Sequence, residues 1–420
     1  MSARPGVLGT LVFGLAVAGA VGLSAVQPAA AAEKDKNVVS RELAKPLKAA
    51  QDAMQAKPPN LEEAVAKLKE AEANPKKTPY DEHIINVMAG SAYARLNDYA
   101  SAEKAFEAQV NDGFTDQADL PRIVKAVAQI NYQLKDYDKA IEYGNKAIQG
   151  GYEDDDIDTL VGQSYYLKKD YANTMKFEQA LVEKKIKAGA VPPEQPLKLW
   201  VSACVNLQDT ACTNTALEKV VTYYPSQEYW KQLLYQLAQD KSASSSDRTT
   251  LQFYRLMSDV DVLSRPQDYT EMAQLALAQG SPGEAEQVLE KGIQKGVFTD
   301  AHTKETSEHL LDTAKKAAVS DQASLPRTEK DADNSATGDK YVGVGFAYLG
   351  YGQYDKASDL LAKGLSKGHV KNEPEARLLL GIAQLKAGHK DQAVQTFQAV
   401  KGDPTLEHIA ALWSLHAKQA

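Results

Sequence analysis

The residues best suited to chemistry fall into a few clusters, and their spacing removes most of the chemistry they suggest. Glu153-Asp154-Asp155-Asp156-Ile157-Asp158 sets Asp154, Asp156 and Asp158 at the alternate spacing of a calcium loop. The sixth place, where the sharp turn needs Gly, is Thr159, and the twelfth, where a bidentate Glu belongs, is Tyr165. Acids capping a helix N-terminus are expected there instead. Gly343-x-Gly345-x-x-x-x-Gly350-x-Gly352 has the glycines of a phosphate loop, but no Gly-Lys-Ser/Thr follows and no strand precedes it. Close helix packing at Gly345 and an interhelical turn at Gly350 and Gly352 account for the run. The seven histidines (His83, His302, His309, His369, His389, His408 and His416) form neither His-Glu-x-x-His nor a Cys/His cluster. His302 and His309 share a helix face but stand too far apart to bind one zinc ion unaided. No Gly-x-Ser-x-Gly occurs, and one sequence selects no carboxylate pair. The expectation is a chain that is not an enzyme, with no catalytic residue, no metal site and no cofactor.

The whole-chain numbers fit that reading. Among 420 residues the formal net charge is -8 and the pI is near 5.5, where a general nucleic-acid binder would carry a basic surface. Apolar residues at 43% and charged residues at 25% are ordinary for a soluble globular protein. They argue against a disordered, collagen-like or multi-span membrane chain. The length suggests two or three domains as a prior.

Residues 1–32 differ from all that follows. Arg4 supplies a short positive region, Val7 to Val26 carries no charge, and Pro28 leads into Ala29-Ala30-Ala31-Ala32 before Glu33-Lys34-Asp35-Lys36. This is the pattern of a secretory signal peptide cleaved after Ala31 or Ala32. An uncleaved membrane anchor is the alternative, but the alanine-glycine content is weakly hydrophobic. No Cys lies near the site, so a lipoprotein is not expected. No later apolar run is long enough for a transmembrane helix. The mature protein is expected to be soluble and exported, to the periplasm first and beyond the cell second.

What must position any functional residues is a repeat. Gly90-x-x-Tyr93 … Tyr99-x-x-Ala102-x-x-x-Phe106 recurs as Gly162-x-x-Tyr165 … Tyr171-x-x-Thr174 and as Gly345-x-x-Tyr348 … Tyr354-x-x-Ala357-x-x-x-Leu361. Gly381-x-x-Gln384 … Ala393-x-x-x-Phe397 … Pro404 is a further copy, and weaker ones centre on Ala64, Ala140, Thr213 and Ala285. The small positions step by 34 to 39 residues, with two gaps of 72 that predict degenerate units near Asp247–Asp261 and Ser320–Ala332. Each unit reads as two short helices. Gly or Ala on the first faces Ala on the second, aromatics fill the space between units, and turns such as Leu96-Asn97-Asp98-Tyr99 and Leu134-Lys135-Asp136-Tyr137 lie between the helices.

These residues resemble the tetratricopeptide repeat (TPR) pattern, over roughly 43–410 and best at 85–182 and 340–404. Gly144 and Glu178 depart from it where a large apolar residue is expected, Thr174 and Thr213 replace the small Ala, and about 222–340 fits poorly. The resemblance implies an all-α fold, a right-handed α-solenoid of about nine or ten hairpins, each contacting its neighbours. The organisation expected is a signal peptide at 1–32, an N-terminal and middle solenoid at 33–319, a polar linker or degenerate helix at 320–339, and a C-terminal repeat pair with capping helix at 340–420. Cys204 falls at the Tyr93 position of its unit and Cys212 just past the turn, so the two helices of one hairpin would bring them to disulfide distance. Export permits the bond. Tyr223-Tyr224-Pro225 with Glu228-Tyr229-Trp230 is expected as core between units. The apolar C-terminal helix Leu406–Leu415 would either self-associate or cap the last repeat through Ile409, Leu412 and Trp413.

In the TPR family the first helices of successive units line a groove that binds peptides. Transfer by register gives Arg95 on one unit and Lys125, Gln129, Tyr132 and Gln133 on the next. Thr159, Gln163, Tyr166 and Leu167 follow, then Lys198, Ser202 and Asn206. A mixture of Tyr, Gln and Lys suits an extended peptide with acidic groups. The family's Lys-Asn clamp for a C-terminal carboxylate is not reproduced. The function this implies is a non-catalytic periplasmic scaffold or adaptor that binds another envelope protein or peptide segment. Some similar exported proteins accompany TonB-type transport or outer-membrane assembly, which is context from the resemblance. The alternative is a glycan-binding or peptidoglycan-active solenoid, which would need clustered groove aromatics and a Glu in a deep pocket.

Overall fold

The computed structural model describes residues 37–152, 154–239 and 246–419, so the signal peptide expected at 1–32 lies outside the described residues. Every regular element among the described residues is an α-helix. The fold is all-α, built of stacked helical hairpins as the repeat predicts, and it divides into two compact units, one up to Thr213 and one from Asn214.

The first unit holds α1 (Arg41–Gln55), α2 (Leu61–Glu72), α3 (Pro79–Arg95), α4 (Tyr99–Asn111), α5 (Leu120–Gln133), α6 (Tyr137–Gln149), α7 (Asp155–Leu167), α8 (Tyr171–Lys187) and α9 (Glu194–Asn206). Each helix packs on the next, and α1 on α3, α5 on α7 and α7 on α9 form a second layer of contact. One kind of turn closes four successive hairpins, those that begin with α3, α5, α7 and α9. Asn97, Lys135, Lys169 and Gln208 all sit at positive φ, between 57° and 62°. The next residue then returns its N–H to a carbonyl five residues back, Asp98 to Tyr93, Asp136 to Asn131, Asp170 to Tyr165 and Asp209 to Cys204. That closes the first helix in the manner of a Schellman motif. The same aspartates cap the second helix, accepting from the N–H of Ser101, Lys139, Asn173 and Cys212. One short run therefore stops one helix and starts another.

Glycine sets how closely the helices approach. A Cβ on Gly90 would lie 3.0 Å from the Phe106 ring, and one on Gly381 would lie 2.5 Å from Phe397. The repeat's Gly is thus the floor on which the aromatic of the partner helix rests. In the α7/α8 hairpin the aromatic's place is taken by Glu178, whose carboxyl lies over Gly162. Glu178 is 1% exposed and neither carboxyl oxygen has a hydrogen-bond partner. Burial, with Asp158 nearby, holds its carboxyl well above the usual carboxylate range. Thr174 is also buried and settles its hydroxyl on the Asp170 carbonyl at 2.9 Å. Cys204 and Cys212 are bonded, with Cα atoms 5.5 Å apart, joining α9 to the start of α10 (Thr210–Tyr223).

The second unit continues with α11 (Gln227–Gln239), α12 (Asp247–Asp259), α13 (Pro266–Ala278), α14 (Pro282–Gln294), α15 (Ala301–Asp333), α16 (Asp339–Gly350), α17 (Tyr354–Lys367), α18 (Glu373–Lys386), α19 (Lys390–Gln398) and α20 (Pro404–Gln419). Here the chain also returns on itself, because α20 packs on α12 as well as on α18 and α19. His416 Nε2 lies 2.9 Å from Asp259 Oδ2, and His408 Nε2 lies 2.7 Å from Glu218 Oε1. Gln419 donates to the Val221 carbonyl at 2.9 Å and accepts from Trp230 Nε1 at 3.2 Å. Ile409, Leu412 and Trp413 are buried, so this helix spends its apolar face inside its own unit. Trp230 is 4% exposed and belongs to the same interior.

The polar stretch at 320–339 is mostly helix. Residues 320–333 form the end of α15, a single helix of 33 residues. Its buried residues Ser307, Ala314, Ala318, Leu325 and Ala332 recur at spacings of four and seven, which gives a polar sequence one narrow apolar seam. The compact units meet in sequence after Thr213 rather than at this stretch, and α12 and α15 occupy the two places where degenerate units were expected.

Candidate functional site

The candidate residues lie on the odd-numbered helices of the first unit, in register rows fixed by the repeat. Lys125 and Lys198 share one row, Gln129 and Gln163 a second, and Arg95, Gln133 and Asn206 a third, each row one helical turn from the next. Tyr132 and Tyr166 occupy a fourth row beside them. Arg95 and Asn206 are exposed; Lys125, Gln129, Tyr132, Gln133, Tyr166 and Lys198 are partly buried.

Much of this set is engaged with the next helix. Tyr132 Oη donates to Gln163 Oε1 at 2.8 Å, joining α5 to α7. Tyr166 Oη and Ser202 Oγ are 2.8 Å apart, joining α7 to α9. Each tyrosine is also met edge-on by the first residue of its own partner helix, Tyr132 by Tyr137 at 5.9 Å and Tyr166 by Tyr171 at 5.5 Å. Two successive repeats thus build the same clip from the same positions. Gln163 is 1% exposed, so its amide serves Tyr132 rather than solvent, and its Nε2 has no partner. Burial raises the Tyr132 hydroxyl above its ordinary value, which keeps it a neutral donor at physiological pH.

The lysines are partnered as well. Lys125 pairs with Asp154, lies 3.8 Å from Asp156, and sits 5.2 Å from the centre of the Tyr152 ring. Burial pulls the Lys125 ammonium down, but Asp154 outweighs it and the net shift is upward. The Asp154 carboxyl is pushed up by burial and pulled down further by Lys125 and the Asp156 N–H, so it stays ionised. Asp154 also caps α7 by accepting from Asp156 at 2.8 Å, the capping role expected for this acidic run. Lys198 pairs with Glu194 at 2.8 Å, one turn earlier on α9. Asn206 donates to the Ser202 carbonyl at 2.8 Å.

The face therefore offers amides, paired lysines and edge-held phenols along α5, α7 and α9, with the exposed Arg95 on α3. It can exchange hydrogen bonds with an extended chain. Among the described residues no group of three or more His, Cys, Asp or Glu is placed to hold a metal ion, and no helix is long and apolar enough to cross a membrane. The acidic partners of the two lysines, Asp154, Asp156 and Glu194, lay outside the candidate set, because register does not show which carboxylate a lysine reaches. Ser202, which meets Tyr166, is on the register row of Gln163, which meets Tyr132.

Comparison with known proteins agrees with the repeat. Residues 87–156 and 347–406 match the tetratricopeptide repeat family. No curated protein sequence matches the chain. Among solved structures, a tetratricopeptide repeat protein from Parabacteroides merdae is similar at 11% identity, with 72% of this chain and 99% of that one covered and a TM-score of 0.31. The C-terminal part of a TPR repeat-containing protein from Cytophaga hutchinsonii is similar at 16% identity, covering 62% and 98%, with a TM-score of 0.32. Yeast Tom70 is similar at 12% identity, covering 92% and 96%, with a TM-score of 0.25. The assignment of tetratricopeptide repeats rests on the two matched segments and on the hairpins themselves.

Proposed function

We propose that this tetratricopeptide-repeat chain is a non-catalytic scaffold, whose first unit binds an extended segment of a partner protein along the face of α3, α5, α7 and α9. The observation that carries this reading is the register. Matching positions present amides on α5, α7 and α9, phenols on α5 and α7 and lysines on α5 and α9, with Arg95 on α3, at a repeat step that an extended peptide can follow. The paired state of Lys125 and Lys198 points to recognition by neutral hydrogen bonding more than by charge. The composition of residues 1–32 supports export, and with it a role as an adaptor among envelope proteins, in the periplasm by first choice. A link to TonB-type transport or outer-membrane assembly belongs to that wider proposal. A glycan ligand would need Tyr132 and Tyr166 as open stacking platforms, whereas both are held edge-on by a second tyrosine.

Two experiments test this. Amino-terminal sequencing of the protein purified from cells should begin at Ala32 or Glu33; an intact Met1 would contradict export with cleavage. A photo-crosslinking residue at Gln129 should capture one dominant envelope protein in intact cells, while one at Lys363 on α17 should not. Equal capture from both positions would remove the face from consideration.

A further inference from the structure

The helix that closes the second unit is held by two imidazoles. His408 on α20 reaches Glu218 on α10, 190 residues away in sequence, and His416 reaches Asp259 on α12, 157 residues away. The two carboxylates are not equally provided for.

Asp259 is the last residue of α12, where the helix dipole disfavours an anion. It receives Lys386 of α18 as well as His416. Burial pushes the Asp259 carboxyl up, and His416 and Lys386 together pull it down further, so it stays ionised. Trp230 and Trp413 meet the His416 ring at 84° and 63°. Asp261 lines the same recess and is held by Lys291 and Lys295 of α14. With His416 uncharged, Asp259 still keeps a cation.

Glu218 has no such second partner. His408 Nε2 lies 2.7 Å from Glu218 Oε1, and among the described residues no lysine or arginine pairs with that carboxylate. α19 meets α20 through Phe397, stacked on Trp413, while its Lys390 and Asp391 are exposed. On α20 itself Glu407 pairs with Lys401, and Lys418 is exposed. The Glu218 carboxylate raises the His408 imidazole above its ordinary value of 6.5, against the opposing pull of burial.

We propose that the His408–Glu218 pair is a proton-controlled latch on the closure of the second unit, which holds α20 to α10 while the imidazole is charged and loosens when it loses its proton. The folded chain binds that proton more tightly than the unfolded chain. The stability it adds is therefore fully present below 6.5 and lost as pH rises through the folded value. Both side chains are 34% exposed, so water screens the pair and the latch is weak. The neutral imidazole keeps a hydrogen bond and loses the charge, a change of about fivefold in the opening of α20. Opening uncovers Ile409, Leu412 and Trp413, which the closed unit buries. The latch rests on the packing of α20 within its own unit and is independent of the partner face of the first unit.

The test is hydrogen exchange in α20 of the full-length protein between about pH 5.5 and 8.5, each rate divided by the intrinsic rate at that pH. Protection should fall about fivefold across the range. His408→Gln should flatten the profile at its high-pH level, and Glu218→Gln should do the same from the other side of the pair. His416→Gln should lower protection at every pH yet keep the fall, because His408 still faces Glu218. A flat or rising wild-type profile would overturn the proposal. So would a fall that survives either His408→Gln or Glu218→Gln, or one that vanishes in His416→Gln. Should one variant of the pair fail to fold, the other decides.

Discussion

The two units use one kind of hairpin to different ends. In the first, the polar contacts that join one repeat to the next span about one repeat of sequence, as with Tyr132 to Gln163 and Tyr166 to Ser202. In the second, such contacts are joined by others that cross most of the unit, as with His408 to Glu218, His416 to Asp259 and Gln252 to Glu375. A stack of neighbour contacts has a stability close to a sum of local terms. A unit whose last helix returns to its early ones should behave more as a single cooperative body. The first arrangement links each repeat to the next, and the second draws its last helix back onto α12.

Four substitutions would break or sharpen this contrast. The largest effect should come from Trp413→Ala, which empties a fully buried site beside Phe397 and His416 and should destabilise the second unit by about 3–5 kcal/mol. Thermal melting followed by peptide-level hydrogen exchange should find α1 to α9 unaffected. Next is the disulfide. Replacing Cys204 and Cys212 by Ala, or reducing them, should remove about 2–3 kcal/mol for so short a loop, seen as a lower melting temperature and faster exchange in α9.

Third, Glu178→Leu should stabilise the first unit by about 2 kcal/mol at neutral pH, because it replaces a buried carboxyl lacking any hydrogen bond with the kind of side chain found over Gly90 and Gly345. The folded chain holds a proton on Glu178 at pH values where the unfolded chain has lost it. The contribution of Glu178 to stability should therefore be fully present below the ordinary Glu value of 4.5 and be lost as pH rises above it. The Leu variant should lose that component of the slope, which melting curves between pH 4 and 8 would check. Smallest is Lys169→Gly. Lys169 holds a φ of 62°, and glycine there should gain about 0.5–1 kcal/mol, measurable by urea titration.

The same contrast explains what could be read from the amino acids alone. Local features were legible. The Gly90 and Phe106 pairing, the Asp98 and Asp136 turns and the Cys204–Cys212 pair each lie within one hairpin, where spacing fixes geometry. Glu178 stood out as a departure, but only packing shows that Gly162 leaves its carboxyl no partner. Register puts the candidate residues on the odd-numbered helices, yet it does not say that Tyr132 turns toward Gln163, because side-chain direction depends on the neighbouring helix. The closure of the second unit left no local trace. Gln252 and Glu375 are 123 residues apart and share no periodicity. The helical run through 320–333 was obscured for a different reason, since its seam is mostly alanine and serine, which hydropathy barely registers.

The most direct test is hydrogen exchange on the full chain and on a chain lacking residues 404–420. If the second unit is closed by its last helix, removing α20 should collapse protection in α11, α12 and α14 together, while α1 to α9 keep their values. If protection is lost only in the adjoining α18 and α19, the second unit is another open stack and the account of its closure is wrong.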